Sequence, residues 1–136
     1  MTIERFEDLK SWQEARKLVR LVYDLTRRSP FCHDYELIKQ IRAAAVSSMG
    51  NIAEGFGRFS FEDKRRFLDI AFGSCTEVQS HLYAAIDQNY ISKSEFEVAY
   101  QQTDIVSKLI NGSLTNLDHQ IAGRPSTRSR TQQKDK

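Results

Sequence analysis

The sequence predicts an all-α protein, an antiparallel up-down-up-down bundle of four helices, and three observations carry the prediction. The only two prolines, Pro30 and Pro125, bracket a long stretch without a helix breaker, and a proline inside a helix costs ~3 kcal/mol. Apolar residues recur through the chain at spacings of three and four, the period of a helix with one buried stripe. Cap and stop residues fall between the stripes at intervals that leave only short connections.

The first helix is expected from about Glu7 to Arg28, its stripe formed by Leu9, Trp12, Ala15, Leu18, Val19, Val22 and Leu25. Glu14, Arg16, Lys17, Arg20 and Arg27 fall mostly off that stripe. Ser29-Pro30 stops the helix, because a residue before proline is pushed out of the α region. The second is expected from about Asp34 to Arg58, with a stripe of Leu37, Ile38, Ile41, Ala44, Ala45, Ser48, Ile52 and Phe56. Its run from Ala43 to Gly50 is small in side-chain volume, which predicts the closest helix–helix approach there. Gly55 and Gly57 near its end suggest a left-handed cap.

Ser60 with Asp63 reads as the start of a third helix reaching about Gln88. Phe67, Ala71, Ser74, Val78, Leu82 and Ala85 make its stripe, and Leu68, Ile70, Phe72 and Cys75 widen it. A helix apolar around most of its circumference is buried on more than one side, so Leu68, Ile70 and Phe72 are expected at a contact with a second copy. Ser92-x-x-Glu95 is a capping box, opening a fourth helix to about Gln120 through Phe96, Ala99, Thr103, Val106, Ile110, Ser113 and Leu117. The bundle is thus expected over residues 1–121 and a disordered basic tail over 122–136, where no apolar residue follows Gly123.

The formal net charge is +2. The tail sets its sign: Arg124, Arg128, Arg130, Lys134 and Lys136 oppose Asp135 alone, so the rest of the chain is slightly acidic. A basic balance of this origin supports a nucleic-acid reading only weakly. Cys32 and Cys75 have no metal-ligand spacing and read as reduced thiols. The start carries no apolar signal core, and no apolar run approaches the ~20 residues of a membrane helix. The expectation is a cytoplasmic protein without a membrane.

No constellation carries catalysis. A di-iron bundle needs Glu-x-x-His pairs, and the residues three before His33, His81 and His119 are Pro30, Val78 and Asn116. Glu77 and His81 lie four apart but lack partners for a metal site. Cys32-His33 falls at a helix junction, where packing explains it, and Gly55-Phe56-Gly57 lacks a phosphate-loop pattern. The expectation is no enzyme, no catalytic residue, no cofactor and no metal. Ser47, Asn51, Glu54 and Arg58, stepping along the second helix, with Ser74 and Glu77 on the third, are expected to form an interhelical polar network that fixes register. Arg16, Arg20, Lys64, Arg65 and Arg66, with Arg124, Arg128 and Arg130 of the tail, are the candidate nucleic-acid contacts. On the body, a solvated helix face is the competing explanation for such clusters.

The stretch Gln40-Ile41-Arg42, Val46-Ser47 and Asn51-Ile52-Ala53-Glu54-Gly55-Phe56-Gly57-Arg58 resembles the bacterial four-helix bundle proteins also called 23S ribosomal RNA intervening-sequence proteins. The likeness extends through Phe6-Glu7-Asp8-Leu9, Trp12, Phe67-Leu68-Asp69-Ile70-Ala71, Gly73-Ser74, Glu77 and Asn89-Tyr90-Ile91. Ala43 and Met49 stand where many members have arginine and proline. The resemblance implies a homo-oligomer, a pentameric ring, with no established catalytic residues. It also implies two kinds of partner besides the chain itself. One is structured RNA or DNA bound through symmetric basic patches; the other is a protein such as a polymerase or reverse transcriptase, for which the chain would be a scaffold.

Overall fold

The computed structural model describes residues 2–125, so Arg128, Arg130 and the rest of the expected tail beyond Pro125 lie outside the described residues. Four helices account for most of them: α1 (Lys10–Thr26), α2 (Tyr35–Phe56), α3 (Phe61–Asp87) and α4 (Lys93–Gly123). There is no strand among the described residues. α2 packs on α1 and α3, and α4 packs on α3 and α1, so the helices close around one core. That core holds Leu18 and Val22 of α1, Ile41 and Ile52 of α2, Val78 and Leu82 of α3, and Val106 and Ile110 of α4, all essentially sealed from solvent. Each such side chain contributes roughly 1.5–3 kcal/mol by leaving water.

α1 is shorter than periodicity suggests. Phe6–Asp8 form a separate 3-10 turn, and Leu9 is extended (ψ 127°), so Glu7 and Asp8 stand outside the helix. Its other end comes at Thr26, before Arg27-Arg28. Thr26 Oγ1 donates to the Val22 carbonyl at 2.9 Å and accepts from Arg42 Nε at 2.8 Å. Glu14 also departs from the expected pattern: it is buried where α1 meets α4, 2.7 Å from Lys17 Nζ in a contact poorly aligned for a hydrogen bond and therefore ionic.

α2 starts on Asp34, whose carboxylate accepts from the Leu37 N–H at 3.1 Å and from the Tyr90 hydroxyl at 2.9 Å. Tyr90 stacks on the buried Phe31 ring at 5.0 Å, so the loops at this end of the bundle are pinned together. α2 ends at Phe56, and the expected left-handed glycine cap is absent: Gly57 has φ −80°. Gly55 serves packing instead. A Cβ there would stand 3.2 Å from Phe67 Cβ and 3.3 Å from the Lys64 carbonyl, so α3 crosses where α2 has no side chain. The left-handed residue among the described residues is Asn89 (φ 60°), just after α3, and asparagine tolerates that region better than most residues. Ser60 caps α3 and Ser92 caps α4, the latter in a full capping box with Glu95.

Two expectations about α3 change. Leu68 is half-buried against the chain's own core beside Ile52 and Leu117, so it is not spare surface for a second copy. Ile70 and Phe72 are exposed at 44% and 36%, but residues two apart on a helix point about 200° apart. The apolar excess of α3 therefore splits between its two flanks, and most of it is consumed within the bundle.

Candidate nucleic-acid interface

The expected six-residue polar network contains three members. Ser47 Oγ and Ser74 Oγ share a hydrogen bond of 2.8 Å between α2 and α3. Asn51 donates to Ser47 Oγ at 3.0 Å and to its carbonyl at 2.8 Å, and Ser74 donates to the Ile70 carbonyl. Glu54 and Arg58 are exposed and pair with each other at 3.2 Å, one turn round the helix from this cluster. Glu77 faces solvent, 3.7 Å from His81 Nε2. No group of three potential metal ligands exists among the described residues. Cys75 is sealed in the core, where burial pushes its thiol up to about 11; Cys32 and His33 lie in the 3-10 turn Phe31–His33.

The basic candidates separate into two groups. On α3 each cation is engaged. Lys64 donates to the Phe56 carbonyl at 2.9 Å. Arg65 Nε donates to Asp118 at 2.6 Å, and that carboxylate holds the guanidinium above its ordinary pKa. Arg66 lies 3.7 Å from Asp63 and 4.7 Å over the Phe67 ring. Arg124 pairs with Glu62 at 2.7 Å and, chiefly through its hydrogen bond, pulls that carboxyl below its ordinary range. Arg65 and Arg124 tie the start of α3 to the end of α4, whereas Lys64 holds the end of α2 and Arg66 pairs within α3.

On α1 the picture differs. Arg16 and Arg20 are exposed and have no carboxylate partner among the described residues. At about 100° per residue, Trp12, Arg16, Arg20 and Tyr23 of α1 and its C-cap Arg27 fall within roughly 80° of arc. Arg16 lies 5.8 Å over the Trp12 ring and Arg27 5.9 Å over Tyr23. Arg42 reaches across from α2 to lie 4.4 Å over the same tyrosine. The result is a ridge of guanidinium groups and two rings along α1, with Lys39 exposed on neighbouring α2. Asp24, paired with Arg27 at 3.2 Å, is the carboxylate at its edge. Sequence clusters marked Arg16 and Arg20 but missed the role of Trp12, Tyr23 and Arg42. The legible signal was the i, i+4 spacing of Trp12–Arg16 and Tyr23–Arg27; the reach of Arg42 is tertiary and leaves no local trace.

No helix among the described residues is long and apolar enough to cross a membrane. Fold and surface together define a class: an all-helical bundle bearing a cationic ridge on one helix. The chain belongs to the 23S rRNA-intervening sequence protein family, whose sequence model matches residues 7–112. It is also similar to the crystal structure of a protein of unknown function from the S23 ribosomal protein family of Bacteroides thetaiotaomicron VPI-5482. That likeness has 25% identity and a TM-score of 0.66, covering 77% of this chain and 94% of the other. No curated protein gives a significant match.

Proposed function

We propose that this chain is a non-enzymatic, cytoplasmic, homo-oligomeric protein that binds structured nucleic acid along α1. The observation that carries the reading is the pair Arg16 and Arg20, exposed without a carboxylate partner among the described residues. Unpaired cations release counterions from a phosphate backbone at no cost in broken ion pairs. Lys64, Arg65, Arg66 and Arg124 would first have to leave Phe56, Asp118, Asp63 and Glu62, so they are secondary contacts. The raised thiol pKa of Cys75 supports a packing role over a nucleophilic one.

The helices run up-down-up-down in this reading. Supporting it, Arg65 meets Asp118 while Gln79 meets Asp104, so α4 is traversed backwards as α3 advances. Ser47 meets Ser74 and Gly55 meets Phe67 in the same sense. Copies associate into a ring, pentameric in the family resemblance, through exposed apolar side chains such as Val46, Ile70 and Phe72, and symmetry multiplies the α1 ridge.

The family is named for sequences that intervene in 23S rRNA, so a structured RNA is the first probe. In a filter-binding titration, affinity should fall at least about tenfold between about 50 and 200 mM salt. An affinity indifferent to salt contradicts phosphate-driven binding. A partner protein captured after nuclease treatment, with no RNA retained, favours the scaffold role.

A further inference from the structure

We infer that the α1 ridge takes a double-helical nucleic acid by its phosphates and does not stack unpaired bases; this rests on the nucleic-acid reading above. A surface that holds single strands offers bare aromatic faces, because stacking is what grips each base. The rings of this ridge are not bare. Trp12 has Arg16 at 5.8 Å over it and the Phe6 ring edge-on at 5.1 Å and 74°. Tyr23 has Arg42 at 4.4 Å and Arg27 at 5.9 Å. A base could reach either ring only by displacing a guanidinium that is itself attracted to the π-face. What the ridge presents outward is therefore charge, with the rings holding the guanidinium groups in place.

The spacing agrees. Arg16 and Arg20 sit on one uninterrupted helix and Arg27 is its C-cap, about 6 Å and then about 10 Å apart along the helix axis. A fixed row of cations suits a stiff polyanion whose phosphates recur at fixed short intervals; a flexible strand would lose freedom in following it. Sequence readout has little to work with, since Gln13, the amide on this side of α1, is spent on the Glu7 carbonyl at 3.0 Å. Binding is accordingly by shape and charge, indifferent to base sequence.

Tyr35 supplies the discriminating control. It is 76% exposed at the first turn of α2, and no cation lies over it among the described residues. Like the fully exposed Phe59, it is a ring that an unpaired base could use. The experiment is fluorescence anisotropy with the full chain on an RNA duplex of about 20 base pairs, a DNA duplex of the same sequence, and an unstructured uridine strand of equal length.

At one salt concentration a duplex should bind at least about tenfold more tightly than the single strand. R16Q/R20Q should weaken duplex binding about tenfold and lower the salt slope by about 2. Y35A should change duplex affinity less than about twofold. Comparison of the two duplexes tells whether A-form or B-form geometry is preferred, and tight binding of either supports the inference. Tighter binding of the uridine strand overturns it while leaving nucleic-acid binding itself intact, as does a larger loss from Y35A than from R16Q/R20Q. Failure to bind any of the three at low salt overturns both. Both arginines are exposed, and an unchanged far-UV spectrum shows that R16Q/R20Q has folded.

Discussion

Ser74 is buried against Ser47 while the carboxylate of Glu54, about two turns further along α2, is in water, and the two should respond differently to substitution. Removing the Ser74 hydroxyl leaves Ser47 and Asn51 to satisfy each other, so Ser74→Ala should cost about 1 kcal/mol in urea unfolding. Glu54→Ala removes an exposed i, i+4 pair and should change stability by less than about 0.5 kcal/mol. A second residue-scale prediction concerns pH. Glu95 is held below its ordinary carboxyl range, first by the Ser92 backbone N–H and then by Arg28. Its folded-state pKa is depressed, so its contribution is complete above the unfolded value and disappears as pH falls through the folded one. The melting-temperature gap between the native chain and Glu95→Gln should therefore be largest near neutrality and shrink through the acid range. A gap that widens on acidification would mean the opposite linkage. At this scale, sequence showed the Ser92–Glu95 box because capping is local. It could not separate Ser74 from Glu77, because three residues of helix decide which one meets Ser47 and which meets water.

At the scale of the element, α2 is the helix whose small residues matter, and its glycines are not equivalent. A Cβ on Gly50 would meet nothing within 4 Å, whereas one on Gly55 would press on a backbone carbonyl and on Phe67 Cβ, neither of which swings aside. Gly50→Ala should stabilise the chain by about 0.5–1 kcal/mol through helix propensity alone. Gly55→Ala should destabilise it, the crowding outweighing the same gain, and denaturant midpoints of the two variants would show opposite signs. The existence and order of all four helices were legible because long amphipathic stripes repeat the same message over several turns. Their ends were less so. Glu7 and Asp8 suit a helix start by charge, yet the extended Leu9 detaches them. Gly57 suits a left-handed cap by type, yet keeps an ordinary φ. Surface charge was the least legible: Lys64-Arg65-Arg66 and Arg16 look alike in sequence, and only the neighbouring Asp118 and Asp63 set them apart.

For the whole molecule, the consequential question is how many copies act together. Exposed Val46, Ile70 and Phe72 border different flanks of α2 and α3, which suits a ring better than a two-fold pair, because a ring joins two unlike faces of each copy. Light scattering on the intact chain should give a mass several times that of one copy; a single-copy mass would remove both the ring and the multiplication of the α1 ridge. The clasp of Glu62 on Arg124 and of Arg65 on Asp118 fastens the last turns of α4 beside the first turns of α3. The end of α4 at Gly123 and Arg124 is thereby anchored at one pole of the bundle. That pole is shared with Leu9 and Ser11 near the beginning of α1, so Pro125, the last described residue, stands at the same end of the molecule as Trp12 and at the opposite end from Tyr35.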